Sequence, residues 1–420
     1  MMIKQYNKVL ENIIALFTIK GLQYILAFIT FPYLVRVLQV ENFGSVVFVQ
    51  GVLQYFILFT DYGFNLLGPK EIAQHDKLEE RGRIFASIFA AKLILLCIST
   101  ILFACILAII SYINNEDILL YIVTYLMVIG NVILPVWFFQ GIQQMRYITI
   151  VNIIGRVLSI VCIFYYVKNP EDYILAGFFQ SSVPFVAGIC SWIILWKNYK
   201  EIFILPKYKD IKRVFIDGWG IFIATIALNL YTASNIVFLG LLTNNIIVGY
   251  FSGAQKIIQN INSLISPITQ AIYPYISKIT NNSKSDGLKF LRRMVWILGG
   301  GNFVVSILIF IFAEWIVDLL LGDGYEQSVL LLRILSFLPF IISLSNIFGI
   351  QTMLVFGMKK QFNKILLSAA VINTIIVLPM IYFYQAIGVS ISMTITEMFV
   401  TLTMYIVLRK NNIHLISRKY

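Results

Sequence analysis

The sequence predicts an all-α polytopic membrane protein of about twelve transmembrane helices in two six-helix lobes, related by a pseudo-two-fold axis along the membrane normal. Three observations predict it. Of 420 residues, 59% are hydrophobic and only 12% charged, with a mean hydropathy of +0.85, too little polar surface for a soluble fold of this size. Long apolar stretches recur along the whole chain, and nearly every Lys and Arg outside them falls in alternate gaps. Two short segments also recur about half a chain apart.

The first apolar stretch, 13–37, is long, carries Lys20 and lacks a small-residue cleavage site, so it reads as a retained helix and not a signal peptide. Stretches at 43–67, 83–112, 117–141, 146–167 and 172–196 complete an N-terminal lobe, 1–196. A charged cytoplasmic linker, 197–215, leads to a C-terminal lobe with its tail, 216–420, whose spans lie at 216–241, 246–277, 291–320, 328–355, 363–384 and 386–408. Most reach the roughly 20 residues that a helix needs to cross a bilayer. Helices are required because lipid offers no partner for exposed backbone groups.

Orientation follows from the gaps. The odd gaps, such as 38–42 and 321–327, hold one basic residue, Lys168, against five acids, whereas the termini, the even gaps and the span ends beside them hold 25 basic residues. The positive-inside rule therefore puts both termini in the cytoplasm. The net charge of +12 is accordingly a topology signal, which argues against nucleic-acid binding. Cys97, Cys105, Cys162 and Cys190 all sit inside spans, and His75 and His414 are the sole histidines. Neither a metal site nor a His-based catalytic triad has material to work with, no cofactor is implied, and no phosphate-cradling GxxxxGK[ST] loop is present.

The repeats are Gly141-Ile142-Gln143-Gln144-Met145 against Gly349-Ile350-Gln351-Thr352-Met353, and Leu38 through a polar gap to Gly44 against Leu242 likewise to Gly249. Parallel repeats of six helices leave a cavity at their interface, a transporter layout. Polar stripes at helical spacing mark its lining: Lys20, Gln23 and Thr30; Gln50, Gln54 and Asp61; Asn152, Arg156 and Ser159; Thr225, Asn229 and Thr232; Lys256, Asn260, Ser263 and Gln270.

Apart from the basic residues at cytoplasmic span ends, six cations fall within spans, Lys20, Arg36, Lys92, Arg156, Lys256 and Arg333, against few acids away from span ends, chiefly Asp61 and Glu397. A charge at the bilayer centre costs at least about 2.5 kcal/mol, so such residues mark function by default. A chamber of this sign attracts a phosphate-bearing or acidic molecule. The bland readings are that Lys20 snorkels, Arg36 and Arg333 anchor the outer interface, Lys92 and Lys256 sit in structural ion pairs, and Asp61 orients the turn before Gly63.

The stretch Phe31-Pro32-Tyr33-Leu34-Val35-Arg36-Val37-Leu38, then Glu41-Asn42-Phe43-Gly44, Asp61-Tyr62-Gly63-Phe64, Pro135-Val136-Trp137-Phe138-Phe139-Gln140-Gly141 and Val248-Gly249-Tyr250-Phe251-Ser252-Gly253-Ala254-Gln255-Lys256 resembles the bacterial polysaccharide flippases, the Wzx-type O-antigen and capsule repeat-unit transporters of the multidrug/oligosaccharidyl-lipid/polysaccharide exporter superfamily. Gln39 stands where that family usually has Gly. The resemblance implies that the chain flips undecaprenyl-pyrophosphate-linked oligosaccharide to the outer leaflet by alternating access, amid membrane lipids and alongside glycosyltransferases and a polymerase. It also raises coupling to H+ or Na+, for which Asp61 and Glu397 are the obvious acids. Arg36, Lys20, Lys92, Arg156, Lys256 and Arg333 with Gln54, Asn229 and Asn260 form the expected cargo-binding set.

Two other classes compete. A cation-coupled drug antiporter of the same superfamily would need carboxylates facing the chamber. A membrane-embedded glycosyltransferase or polymerase would need a larger outer loop than these gaps, seven residues at most, provide.

Overall fold

A computed structural model describes residues 2–113, 118–232 and 234–415, with side chains from residue 26 onward apart from 27, 113, 224, 227, 228, 230–232, 266, 267 and 271. Every regular element among them is helical. In chain order these are α1 (2–38), α2 (40–73), α3 (78–113), α4 (118–141), α5 (145–166), α6 (173–198), α7 (208–232 and 234–242), α8 (245–282), α9 (284–320), α10 (326–354), α11 (359–384) and α12 (386–410).

The expected gaps are local breaks of named cause. Gln39, at φ 60° and ψ 179°, ends α1. Gln385, at φ 49° and ψ −127°, separates α11 from α12. Among the described residues, eight continuous stretches are apolar and long enough to cross a bilayer, and two of them, Phe28–Ala73 and Lys359–Lys410, run through these breaks. A second break, at Tyr62 (φ 49°) and Gly63 (φ 79°), divides α2, and a Cβ on Gly63 would collide with the Ile221 side chain. Pro135 removes a backbone donor and interrupts α4.

Two charged connectors are more helical than expected. Helix α7 starts at Tyr208, inside the linker 197–215. The segment 278–292 is helix as well: α8 runs on to Asn282, and Ser283 caps Lys284–Met294 by accepting from the Asp286 backbone N–H at 3.3 Å.

The chain forms two compact units, 45–229 and 1–44 with 230–420, a division at different positions from the lobes drawn on charge pattern. In the unit 45–229, Phe85, Trp137, Phe138 and Phe139 are buried and pack as an aromatic core, with Phe85 and Trp137 ring centroids 5.4 Å apart. Gly68 admits this core to α2, because a Cβ there would meet the Trp137 ring at 2.6 Å. The other unit buries Ile276, Leu291, Met294, Phe348, Met353 and Met404 between α8, α9, α10 and α12.

Within that second unit the start of α2 crosses the start of α8. A Cβ on Gly44 would fall on the carbonyl oxygen of Asn245, and one on Gly249 on that of Val40. Each glycine thus meets the residue four positions before its counterpart, the reciprocity expected of two elements related by a two-fold axis.

Candidate functional site

Helix α8 carries a polar face. Val248, Phe251, Ala254, Ile257, Ile258 and Ile276 are buried, a spacing of three and four that turns one side to the core. On the other side Lys256, Gln259 and Gln270 are exposed, with Asn260 and Ser263 half-buried. The Asn260 Nδ2 is buried and has no hydrogen-bond partner among the described residues.

Other expected site residues divide by what they touch. Lys92 is 2% exposed and donates to Asp61 Oδ1 at 3.1 Å, a buried ion pair that couples two residues expected to play separate roles. Arg36 is exposed and its guanidinium donates to the carbonyls of Asp318 and Leu319, so it satisfies the C-terminus of the helix Ala313–Leu320. Arg333 lies 4.0 Å from Glu314, both well exposed, a pair worth little to stability. Arg156 is half-buried on α5, one turn from Ser159, whose hydroxyl donates to the Phe179 carbonyl at 2.7 Å. Gln54 is half-buried on α2, and Asn229 on α7 donates to the Thr225 carbonyl at 2.9 Å. Glu397 is half-buried on α12. Lys20, Gln23 and Thr232 have side chains outside the described residues.

What the sequence reading missed is a cavity between α8 and α10. It has a volume of about 480 Å³ and is lined by Asn262, Thr269, Gln270, Tyr273, Ser343, Asn346 and Gln351 with apolar neighbours, so that Gln270 of the expected stripe borders it. Gln351 belongs to the repeat Gly349-Ile350-Gln351-Thr352-Met353, which points to a packing signal but not to a cavity. A second hollow, of about 840 Å³, lies at the break between α1 and α2 and is lined by Arg36, Glu41, Asp318 and Asp323.

The segments that carried the family resemblance are mostly packing. Trp137, Phe138, Phe139, Val248 and Phe251 are at most 1% exposed, so they specify the fold and not the cargo.

Residues 9–280 match the family model described as polysaccharide biosynthesis protein, well over half of the chain. The chain belongs to that family. A candidate O-antigen transporter of Escherichia coli (strain K12) is 34% identical over 406 residues, covering 96% of this chain and 97% of that one. One of Shigella dysenteriae is 28% identical over 395 residues, covering 94% and 98%. Among solved structures, an inward-facing multidrug transporter of the MATE family and MOP superfamily has a TM-score of 0.69 at 14% identity, with 92% and 98% of the chains covered. The lipid II flippase MurJ has a TM-score of 0.66 at 12% identity, covering 94% of this chain and 87% of that one. This member of the polysaccharide biosynthesis protein family thus has the MOP-superfamily fold, as a multi-pass membrane protein.

Proposed function

We propose that the chain is a flippase that carries undecaprenyl-pyrophosphate-linked oligosaccharide repeat units from the cytoplasmic to the outer leaflet by alternating access. The observation that carries this reading is the polar face of α8: Lys256, Gln259 and Gln270 are exposed along a helix that the sequence pattern reads as a span, although its polarity keeps it out of the eight stretches that qualify on apolarity alone. Such a face is too costly against hydrocarbon and belongs against a water-filled path. The relatives named as O-antigen transporters support the same cargo class.

In this reading Arg156, Lys256 and Lys20 are the cations that receive the pyrophosphate. Lys92 contributes less, because Asp61 offsets its charge at 3.1 Å. Arg36 and Arg333 serve the outer helix ends, where they meet Asp318, Leu319 and Glu314. The diphosphate carries about two negative charges, and an inside-negative potential favours outward movement by about 2.3 kcal/mol per charge per 100 mV. Glu397 is the acid through which an H+ or Na+ gradient would couple. Both termini face the cytoplasm, on the side of the basic connectors, where glycosyltransferases assemble the cargo; the polymerase acts on it after release.

Replacing Arg156 or Lys256 by Ala should abolish repeat-unit export in cells while the protein remains in the membrane at normal abundance. Normal export in both variants would remove the cationic site from the account. The drug-antiporter reading predicts instead that vesicles containing the chain take up fluorescent cations.

A further inference from the structure

The cavity between α8 and α10 lies wholly within one compact unit, and its lining includes Gln270 of the polar face but not Lys256. Gln351 is 1% exposed and lies in a π-helical turn, Gly349–Leu354, held by the Thr352 hydroxyl donating to the Ile347 carbonyl at 2.7 Å. Turns of this kind interrupt regular helices and often occur at functional sites. The amide orientation of Gln351 is fixed, because its Nε2 donates to the Thr269 carbonyl at 2.9 Å, and a carbonyl accepts only from the NH2 end. Its Oε1 therefore remains a buried acceptor without a partner among the described residues, and so does Asn346 Oδ1.

An unpartnered buried acceptor costs about 1–3 kcal/mol, a penalty that a ligand donor relieves. Ser343 complements the two acceptors: its Oγ accepts from Asn302 Nδ2 at 3.3 Å, which leaves the hydroxyl proton to donate elsewhere. Among the described residues no Asp, Glu, Lys, Arg or His lines the cavity, whereas Ile265, Ile342 and the Tyr273 ring supply apolar surface. Neutral acceptors and donors set in apolar walls match a pyranose, which presents hydroxyls at its rim and C–H groups on its faces. A volume of about 480 Å³ also falls among small-molecule sites, which run from about 300 to 1,000 Å³.

We infer that this cavity is a neutral sugar subsite that reads the oligosaccharide of the cargo, through Gln351 Oε1, Asn346 Oδ1 and the Ser343 hydroxyl, apart from the groups that hold its phosphates. The inference rests on the flippase reading and adds where sugar identity is recognised. Binding there is reversible and involves no covalent step.

The test uses the full chain in detergent with Cys97, Cys105, Cys162 and Cys190 replaced by Ala, and a single reporter, Asn262→Cys, labelled by a water-soluble maleimide. The probes are the repeat-unit oligosaccharide freed from its lipid, and inorganic pyrophosphate. The oligosaccharide should slow labelling, and pyrophosphate should not. In separate backgrounds, Gln351→Leu and Asn346→Leu should each weaken that protection about tenfold, equivalent to one lost hydrogen bond, with the unprotected labelling rate unchanged. If Gln351→Leu fails to accumulate, Asn346→Leu carries the comparison. A second reporter, Gln259→Cys, sits one turn from Lys256 and reads the phosphate end. Pyrophosphate protection at 259 without oligosaccharide protection at 262 overturns the sugar subsite while the flippase reading stands. No protection at either position counts against both, and full protection in the Leu variants overturns the assigned roles.

Discussion

Lys92 and Asp61 illustrate how a single contact changes the meaning of a charge. Each alone in a span suggests function; at 3.1 Å, with Lys92 2% exposed, they form a buried pair whose members depend on each other. Removing one partner leaves the other charge buried and uncompensated, at about 3–5 kcal/mol, whereas replacing both is often close to neutral. Thermal unfolding in detergent should therefore show Asp61→Asn and Lys92→Met strongly destabilised, with the double variant recovering most of the loss. Additive losses would show that the pair is not coupled. Glycines follow a similar contextual rule. A Cβ on Gly249 meets the Val40 carbonyl, but one on Gly300 meets nothing within 4 Å. Gly249→Ala should sharply lower membrane abundance, and Gly300→Ala should leave it equal or higher, since Ala is the better helix former by about 1 kcal/mol. Equal abundance of the two variants would contradict the close crossing of α2 and α8.

At the scale of elements, apolar runs made the spans legible because hydrocarbon imposes both length and periodicity. The charged connectors were less legible. Lys and Arg runs signal solvent, but they are also good helix formers, so α7 begins at Tyr208 and α9 at Lys284, where charge had suggested loops. Both repeats of the Gly-Ile-Gln sequence were visible, but not their divergence. After Gly141 the chain leaves the helix, with Gln143 at φ 58°, whereas Gly349–Leu354 stays helical as a π turn. Tertiary packing around the two glycines decides between these outcomes: Gly141 lies against Ile72, and Gly349 against Phe362 and Met404. The face of α8 gives the sharpest test at this scale. Single cysteines at Gln259 and Ser263 should react with a membrane-impermeant maleimide from the cytoplasmic side in inverted vesicles. Cysteines at Ile258 and Ile276, which are buried, should not. A labelling pattern without helical period would remove the water-filled path.

For the molecule as a whole, the parallel repeat was readable from sequence as two weak correspondences, and one of them is a physical crossing. Gly44 meets Asn245 and Gly249 meets Val40, so the repeated glycines face each other's helix starts. Which polar residues converge was not readable, because a helical projection gives a face but not its neighbour; Arg36 closes a helix end through Asp318 and Leu319, although its charge alone suggested cargo. The central claim is that a cation-lined path moves a lipid-linked anionic oligosaccharide across the bilayer. It is tested most directly by reconstituting the purified chain in liposomes loaded on the inner leaflet with polyprenyl-pyrophosphate oligosaccharide, and following sugar exposure outside with a lectin. The account predicts chain-dependent exposure that is lost in Arg156→Ala and Lys256→Ala and accelerated by a potential that drives anions outward. Exposure no faster than in protein-free liposomes, or undiminished in both variants, would contradict it.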